Sequence, residues 1–94
     1  MDGVIELNKE YIFLYPFFTD KNIYILPKNH LFPESKNFVF IGRMKFRYKI
    51  KKLQPMSTSS DGHRFSFTPK ILGVYNLEVY EGNDLLDTIK VEVI

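Results

Sequence analysis

Cysteine and tryptophan are both missing from this chain of 94 residues. Without cysteine there is no disulfide, no thiolate nucleophile and none of the sulfur ligands on which most structural zinc sites depend. No apolar run approaches the roughly 18 residues that a membrane-spanning helix needs, so no membrane insertion is expected. The opening Met1-Asp2-Gly3-Val4 has neither a basic segment nor an apolar one behind it, and no secretory leader is expected. Nowhere do apolar residues recur at i, i+3 and i+4 over three capped turns, which leaves no long helix.

Signals of chemistry are equally sparse. The two histidines, His30 and His63, fall in separate loops, with Asp61 two residues before the second. The run Ser57-Thr58-Ser59-Ser60 lies near His63, but a serine nucleophile needs a positioned base and an oxyanion hole. The strand–Gly-x-Ser-x-Gly–helix context that would supply them is absent. The carboxylate pairs Asp84/Asp87 and Glu78/Glu81 lack the Asp-x-Asp-x-Asp-Gly spacing of a calcium loop. The expectation is a protein that is not an enzyme, with no catalytic residues, no metal and no cofactor.

What is plentiful is apolar and aromatic material. Hydrophobic residues make up 45% of the chain, enough for one core, and nine Phe with six Tyr favour strands, where flat rings pack on a pleated face. A single domain over residues 1–94 is expected. The chain ends in strand pattern at Val93-Ile94, which reads as a module excised from a longer protein.

Period-two alternation recurs along the chain. Val4–Leu7 and Tyr11–Tyr15 read as a first strand interrupted by Asn8-Lys9-Glu10, with Pro16 marking it as an edge. Ile23–Leu26 reads as a second strand closed by Pro27, and 28–36 as a loop. Asn37–Ile41 is apolar on both faces, and Gly42 can bend or bulge it. Residues 54–62 form a polar loop, and Glu81-Gly82-Asn83-Asp84 a turn before a last strand from about Leu85. The organising stretch is Phe65–Val79. Phe65 and Phe67 point one way, Pro69 and Gly73 turn the chain, and Tyr75, Leu77 and Val79 point back inward.

Charge is distributed unevenly. Six of the thirteen Lys and Arg lie in residues 43–52, with no acidic residue among them, although the whole chain carries only +2. Met44, Phe46, Tyr48 and Ile50 alternate with Lys45, Arg47, Lys49 and Lys51, so one face is apolar and the other cationic. This strand is expected beside the one holding Asn76, Glu78 and Tyr80, with Glu78 neutralising part of the stripe. Arg43, Lys45, Arg47, Lys49 and Lys51 are the candidate anion-binding residues, for an acidic glycan or acidic protein. Nucleic acid is not expected. Phe46 and Tyr48 face away from the charges, and outward aromatics for stacking would have to come from Tyr24 or Tyr80. Tyr11, Phe13, Tyr15, Phe17 and Phe18 form an aromatic edge, divided between core and contact surface.

Met44–Ile50, Phe65–Pro69 and Leu72-Gly73-Val74-Tyr75-Asn76-Leu77-Glu78-Val79, ending in a valine-rich strand, resemble a bacterial immunoglobulin-like module over roughly residues 44–94. The similarity is to the triple-tyrosine type found in tandem in surface proteins and sensors. It implies an all-β, immunoglobulin-like antiparallel sandwich of seven or eight strands, with Tyr75 anchoring the corner through its hydroxyl. The expected core is Phe38, Phe40, Met44, Phe46, Tyr48, Ile50, Phe65, Phe67, Tyr75, Leu77, Val79, Ile89, Val91 and Val93. The resemblance also implies an accessory role at the cell surface or outside the cell, as a spacer or interaction module contacting neighbouring domains or another protein. Acidic glycan binding is the alternative, and a self-assembling structural subunit a second one.

Overall fold

The computed structural model describes residues 3–17, 19–31, 39–46 and 50–94. Among them the chain is all-β, with no helix long and apolar enough to cross a membrane. Nine strands occur among the described residues: β1 (Gly3–Ile5), β2 (Tyr11–Tyr15), β3 (Ile23–Asn29), β4 (Val39–Ile41), β5 (Met44–Phe46), β6 (Ser57–Ser59), β7 (Gly62–Phe67), β8 (Gly73–Glu81) and β9 (Asp84–Val93). One sheet runs β1-β9-β8-β3, a second β2-β7-β6, and β4 and β5 form a hairpin of their own. The first two enclose one core, which makes the body a β-sandwich.

Alternation builds that core. Ile23 and Ile25 of β3, Tyr75, Leu77 and Val79 of β8, and Ile89, Val91 and Val93 of β9 are buried from one sheet. Tyr15 of β2 and Phe65 and Phe67 of β7 meet them from the other. Phe13 stacks on Phe65 with ring centroids 5.8 Å apart, and Phe67 meets Tyr75 edge-on at 5.3 Å. Eight of the expected core residues from Phe65 onward are thus buried, and so is Ile50. Met44 is not: at 63% exposure it projects from the β4–β5 hairpin. Among the described residues its strand pairs only with β4, through a Gly42-Arg43 turn, and no other described strand pairs with it. Phe38 and Tyr48 lie outside the described residues, as do the side chains of Phe40 and Phe46.

Three strand expectations need correction. The opening segment is two strands in two sheets. β1 runs parallel to β9, the one parallel pair among the described residues of a sandwich expected to be antiparallel, and β2 runs antiparallel to β7. The crossing between them is tied down by bonds from Leu7 N–H to the Ile94 carbonyl (3.0 Å) and from Asn8 N–H to the Pro69 carbonyl (2.8 Å). Asn8 makes the bend at φ 63°, a conformation asparagine tolerates better than most residues. Second, Pro27 does not close β3 but sits inside it, opposite Leu77. Ile25 exchanges both its backbone hydrogen bonds with Leu53, on the side away from β8. Pro27, two residues on, presents the same outer side, so its missing N–H removes no bond from the β3–β8 ladder. Third, the polar loop at 54–62 contains a short strand, β6, paired with β7.

The corner at 68–72 carries the chain from one sheet to the other, between β7 and β8. Tyr75 is 3% exposed, and burial raises its phenol pKa. Hydrogen bonds from the Asn29 side chain and the Ile71 backbone work against that shift. Asn29, itself buried, also donates to the Leu72 carbonyl (3.2 Å) and accepts from Leu31 N–H (2.8 Å). It thereby fastens the end of β3 to the corner.

Candidate functional site

The described members of the cationic stripe do not share one sheet face. Arg43 and Lys45 are exposed on the β4–β5 hairpin, one in its turn and one in β5. Lys51 is exposed just after buried Ile50, at the sandwich itself. Arg47 and Lys49 lie outside the described residues. The expected neighbour is also corrected. β8 is flanked by β3 and β9, so Glu78 meets Lys28 of β3, with Nζ and Oε1 2.8 Å apart. Strand order decided this pairing, and strand order is not carried by local alternation.

Lys51 instead shares a cleft with a cation from elsewhere in the chain. It lines a cleft of about 400 Å³ with Lys70 of the corner, together with Ser66, Thr68, Phe67 and Tyr75. Two lysines, two hydroxyl-bearing residues and two aromatic residues around one cleft are the residue types of a site for an anionic, partly apolar ligand. Ser66 gives its hydroxyl proton to Glu10 at 2.8 Å, so a carboxylate stands near the same cleft. Lys70 had no signal in the sequence, being a single lysine after a proline.

The outer face of the four-stranded sheet carries a closed polar cluster. Tyr24 stacks on Tyr80 at 5.4 Å, and Lys52 lies over the Tyr24 ring at 4.1 Å from its centroid. The Tyr24 hydroxyl donates to the Gly82 carbonyl, and the Tyr80 hydroxyl to Glu78, each at 2.8 Å. The only two outward aromatics the sequence offered for stacking thus engage each other. Burial pushes the Glu78 carboxyl up, but hydrogen bonds from Lys28 and Tyr80 outweigh it and hold the group below the usual glutamate range. The stabilisation this implies is present above the ordinary glutamate pKa and is lost as pH falls through the folded value. Glu78→Gln should therefore lower the urea midpoint at pH 7 and flatten its decline toward pH 3. An unchanged pH slope would mean that the Lys28 pair contributes nothing.

His63 is not a solvated loop residue. It lies in β7, 2% exposed, with Nε2 accepting from Thr19 N–H (3.3 Å) and Nδ1 2.9 Å from Thr58 Oγ1. Because Nε2 accepts, Nδ1 carries the proton and donates to Thr58. His30 follows the far end of β3 and binds Val74 through backbone and ring nitrogen. The whole of β3 separates it from Thr19, and with it from His63.

The acidic pairs are dispersed in the same way. Glu81 faces Lys21 at 3.6 Å, and Asp87 accepts the Thr88 N–H at 2.8 Å. Asp61 accepts from Ser59 and from Arg64, which hold its carboxyl below the usual aspartate range. No group of three metal-binding side chains occurs among the described residues.

In the aromatic edge, Tyr11, Phe13 and Tyr15 turn toward the core while Ile12 and Leu14 are exposed. Phe17, 64% exposed, leans on Tyr15, and Phe18 lies outside the described residues. A cleft of about 490 Å³ runs between this edge and Asp87 and Ile89 of β9. No protein-family model, no curated protein and no solved structure matches the chain.

Proposed function

We propose that this chain is an immunoglobulin-like sandwich serving as a non-catalytic interaction or spacer module of a larger bacterial surface or sensor protein. The observation that carries the reading is the corner. Tyr75, buried on the strand after the sheet-to-sheet crossing and paired with Asn29 of β3, stands where a tyrosine anchors the corner of such sandwiches. The buried polar side chains Asn29 and His63 support it further, because their hydrogen bonds hold strands and loops together.

The second reading, binding of an acidic glycan, is favoured by one specific observation: Lys51 and Lys70 converge on one cleft. Amide-shift titration of the labelled protein with acidic and neutral oligosaccharides at low salt tests both. Glycan binding is expected to move residues around Lys51 and Lys70, to vanish with added salt, and to be lost in Lys51→Ser/Lys70→Ser without loss of fold. Shifts that ignore salt, or that survive the double substitution, would remove the cleft from consideration. Silence across the panel would leave the spacer reading alone.

A further inference from the structure

We infer that the edge of β2 left open among the described residues pairs with β2 of a second copy of this chain, antiparallel about Phe13, joining the two three-stranded sheets into one. The argument begins with where the backbone groups point. The Arg64 carbonyl accepts from Met56 N–H (2.8 Å), on the β6 side of β7. Backbone groups of an antiparallel strand alternate sides, so those of His63, Phe65 and Phe67 face β2. Their partners are Tyr15, Phe13 and Tyr11, whose backbone groups accordingly face β7. The N–H and C=O of Ile12 and Leu14 therefore point out of the sheet.

Every other sheet edge among the described residues of the sandwich is blunted. β6 is three residues of Ser and Thr. The outer side of β3 is bonded to Leu53 at Ile25 and carries Pro27. β1, the opposite edge strand, is only three residues long and covers β9 over residues 91–93, and Asp87 takes the Thr88 N–H farther along β9. Short polar edges, prolines and self-capping carboxylates are how sheets avoid meeting other chains. β2 has none of these within its length. It is Tyr-Ile-Phe-Leu-Tyr, uncharged, with Ile12 57% and Leu14 38% exposed.

The sequence of β2 selects a second copy as the occupant. Tyr11-Ile12-Phe13-Leu14-Tyr15 reads nearly the same in both directions about Phe13. Antiparallel pairing about that residue sets Ile12 opposite Leu14 of the second copy and Tyr11 opposite its Tyr15. The outward groups of Ile12 and Leu14 then form hydrogen-bonded pairs, and four aliphatic side chains gather on the outer face. At the flanks Glu10 falls opposite Pro16 of the second copy, so no like charges meet. The contact is isologous and closes at two. Its area is small, of the class below about 1,200 Å² that forms reversible complexes.

Sedimentation of the full chain over a concentration series up to about 1 mM, a range suited to weak contacts of this size, is expected to show a monomer–dimer equilibrium. The Ile12 and Leu14 amides should exchange more slowly as concentration rises. Ile12→Lys/Leu14→Lys and Ile12→Glu/Leu14→Glu should each be monomeric, because position 12 meets position 14 with like charge. Mixed in equal amounts they should dimerise again. Monomer at every concentration, dimer persisting in either charged variant, or growth beyond two chains would overturn the inference. If a charged variant does not fold, Ile12→Thr/Leu14→Thr keeps strand propensity and must weaken dimerisation. The wild-type exchange measurement decides the matter independently of any variant.

Discussion

Gly62→Ala is expected to destabilise the protein by about 3 kcal/mol or more, a large effect for one methyl group. Gly62 opens β7 at φ 136°, a conformation side chains rarely adopt. A Cβ there would overlap the Tyr15 carbonyl oxygen and come within 3.0 Å of Pro16 Cα. These are backbone atoms at and just past the end of β2, and they cannot swing aside as a side chain can. The strain of the conformation alone is worth about 1–3 kcal/mol, and the collision adds to it. Relief requires the end of β2 to lift from β7, which would also loosen His63 from Thr19. Thermal unfolding should show a midpoint lower by at least about 12 °C, at roughly 4 °C per kcal/mol for a domain of this size.

Two neighbouring cases calibrate the effect. Gly3→Ala meets nothing within 4 Å and should be neutral within about 0.5 kcal/mol. Gly73→Ala also has positive φ, but its Cβ would meet the exposed His30 ring, which can move, so its cost should fall between the two. A Gly62→Ala protein as stable as Gly3→Ala would mean that β2 does not approach β7 as described.

Tyr75→Phe is expected to cost about 1–3 kcal/mol, although it removes only an oxygen from a ring that stays in place. The phenol is buried, and hydrogen bonding with the Asn29 side chain and the Ile71 backbone works against the rise that burial gives its pKa. Deleting the hydroxyl removes a polar group from a buried position next to Asn29, with little access to water for what remains. Asn29→Ala should be costly for the same reason. The double variant should lose less than the sum of the two, because both act on one network. Denaturant unfolding of the single and double variants measures this coupling. A Tyr75→Phe change within about 0.5 kcal/mol would mean that the corner is held by packing alone.

Legibility followed the range of the interaction. The inward residues of β7, β8 and β9 could be read directly, because alternation along a strand corresponds to inside and outside once one face is covered. The alternation at Met44 and Lys45 is just as regular, yet Met44 is exposed. Period two states that two faces differ. It does not state that a second sheet will cover the apolar one. Pro27 lies inside β3 for a related reason: a proline ends a central strand but fits an edge strand when its nitrogen faces outward, and edges are defined only by strand order. His63 looked like a loop residue because burial in β7 depends on Thr19, far away in sequence.

The sequence by itself determined the all-β class, the corner at 68–72 and the alternating rows of Phe65, Tyr75, Ile89 and their neighbours. These depend on propensities and periods within about ten residues of chain. Only the tertiary structure decided that Glu78 pairs with Lys28, that Lys51 and Lys70 line one cleft, and that Asn29 reaches the Leu72 carbonyl. It also decided that Ile12 and Leu14 lie on an edge with outward backbone groups. Each of these joins residues remote in sequence through strand order and register, which are set by how the two sheets enclose their shared core, not by any one strand.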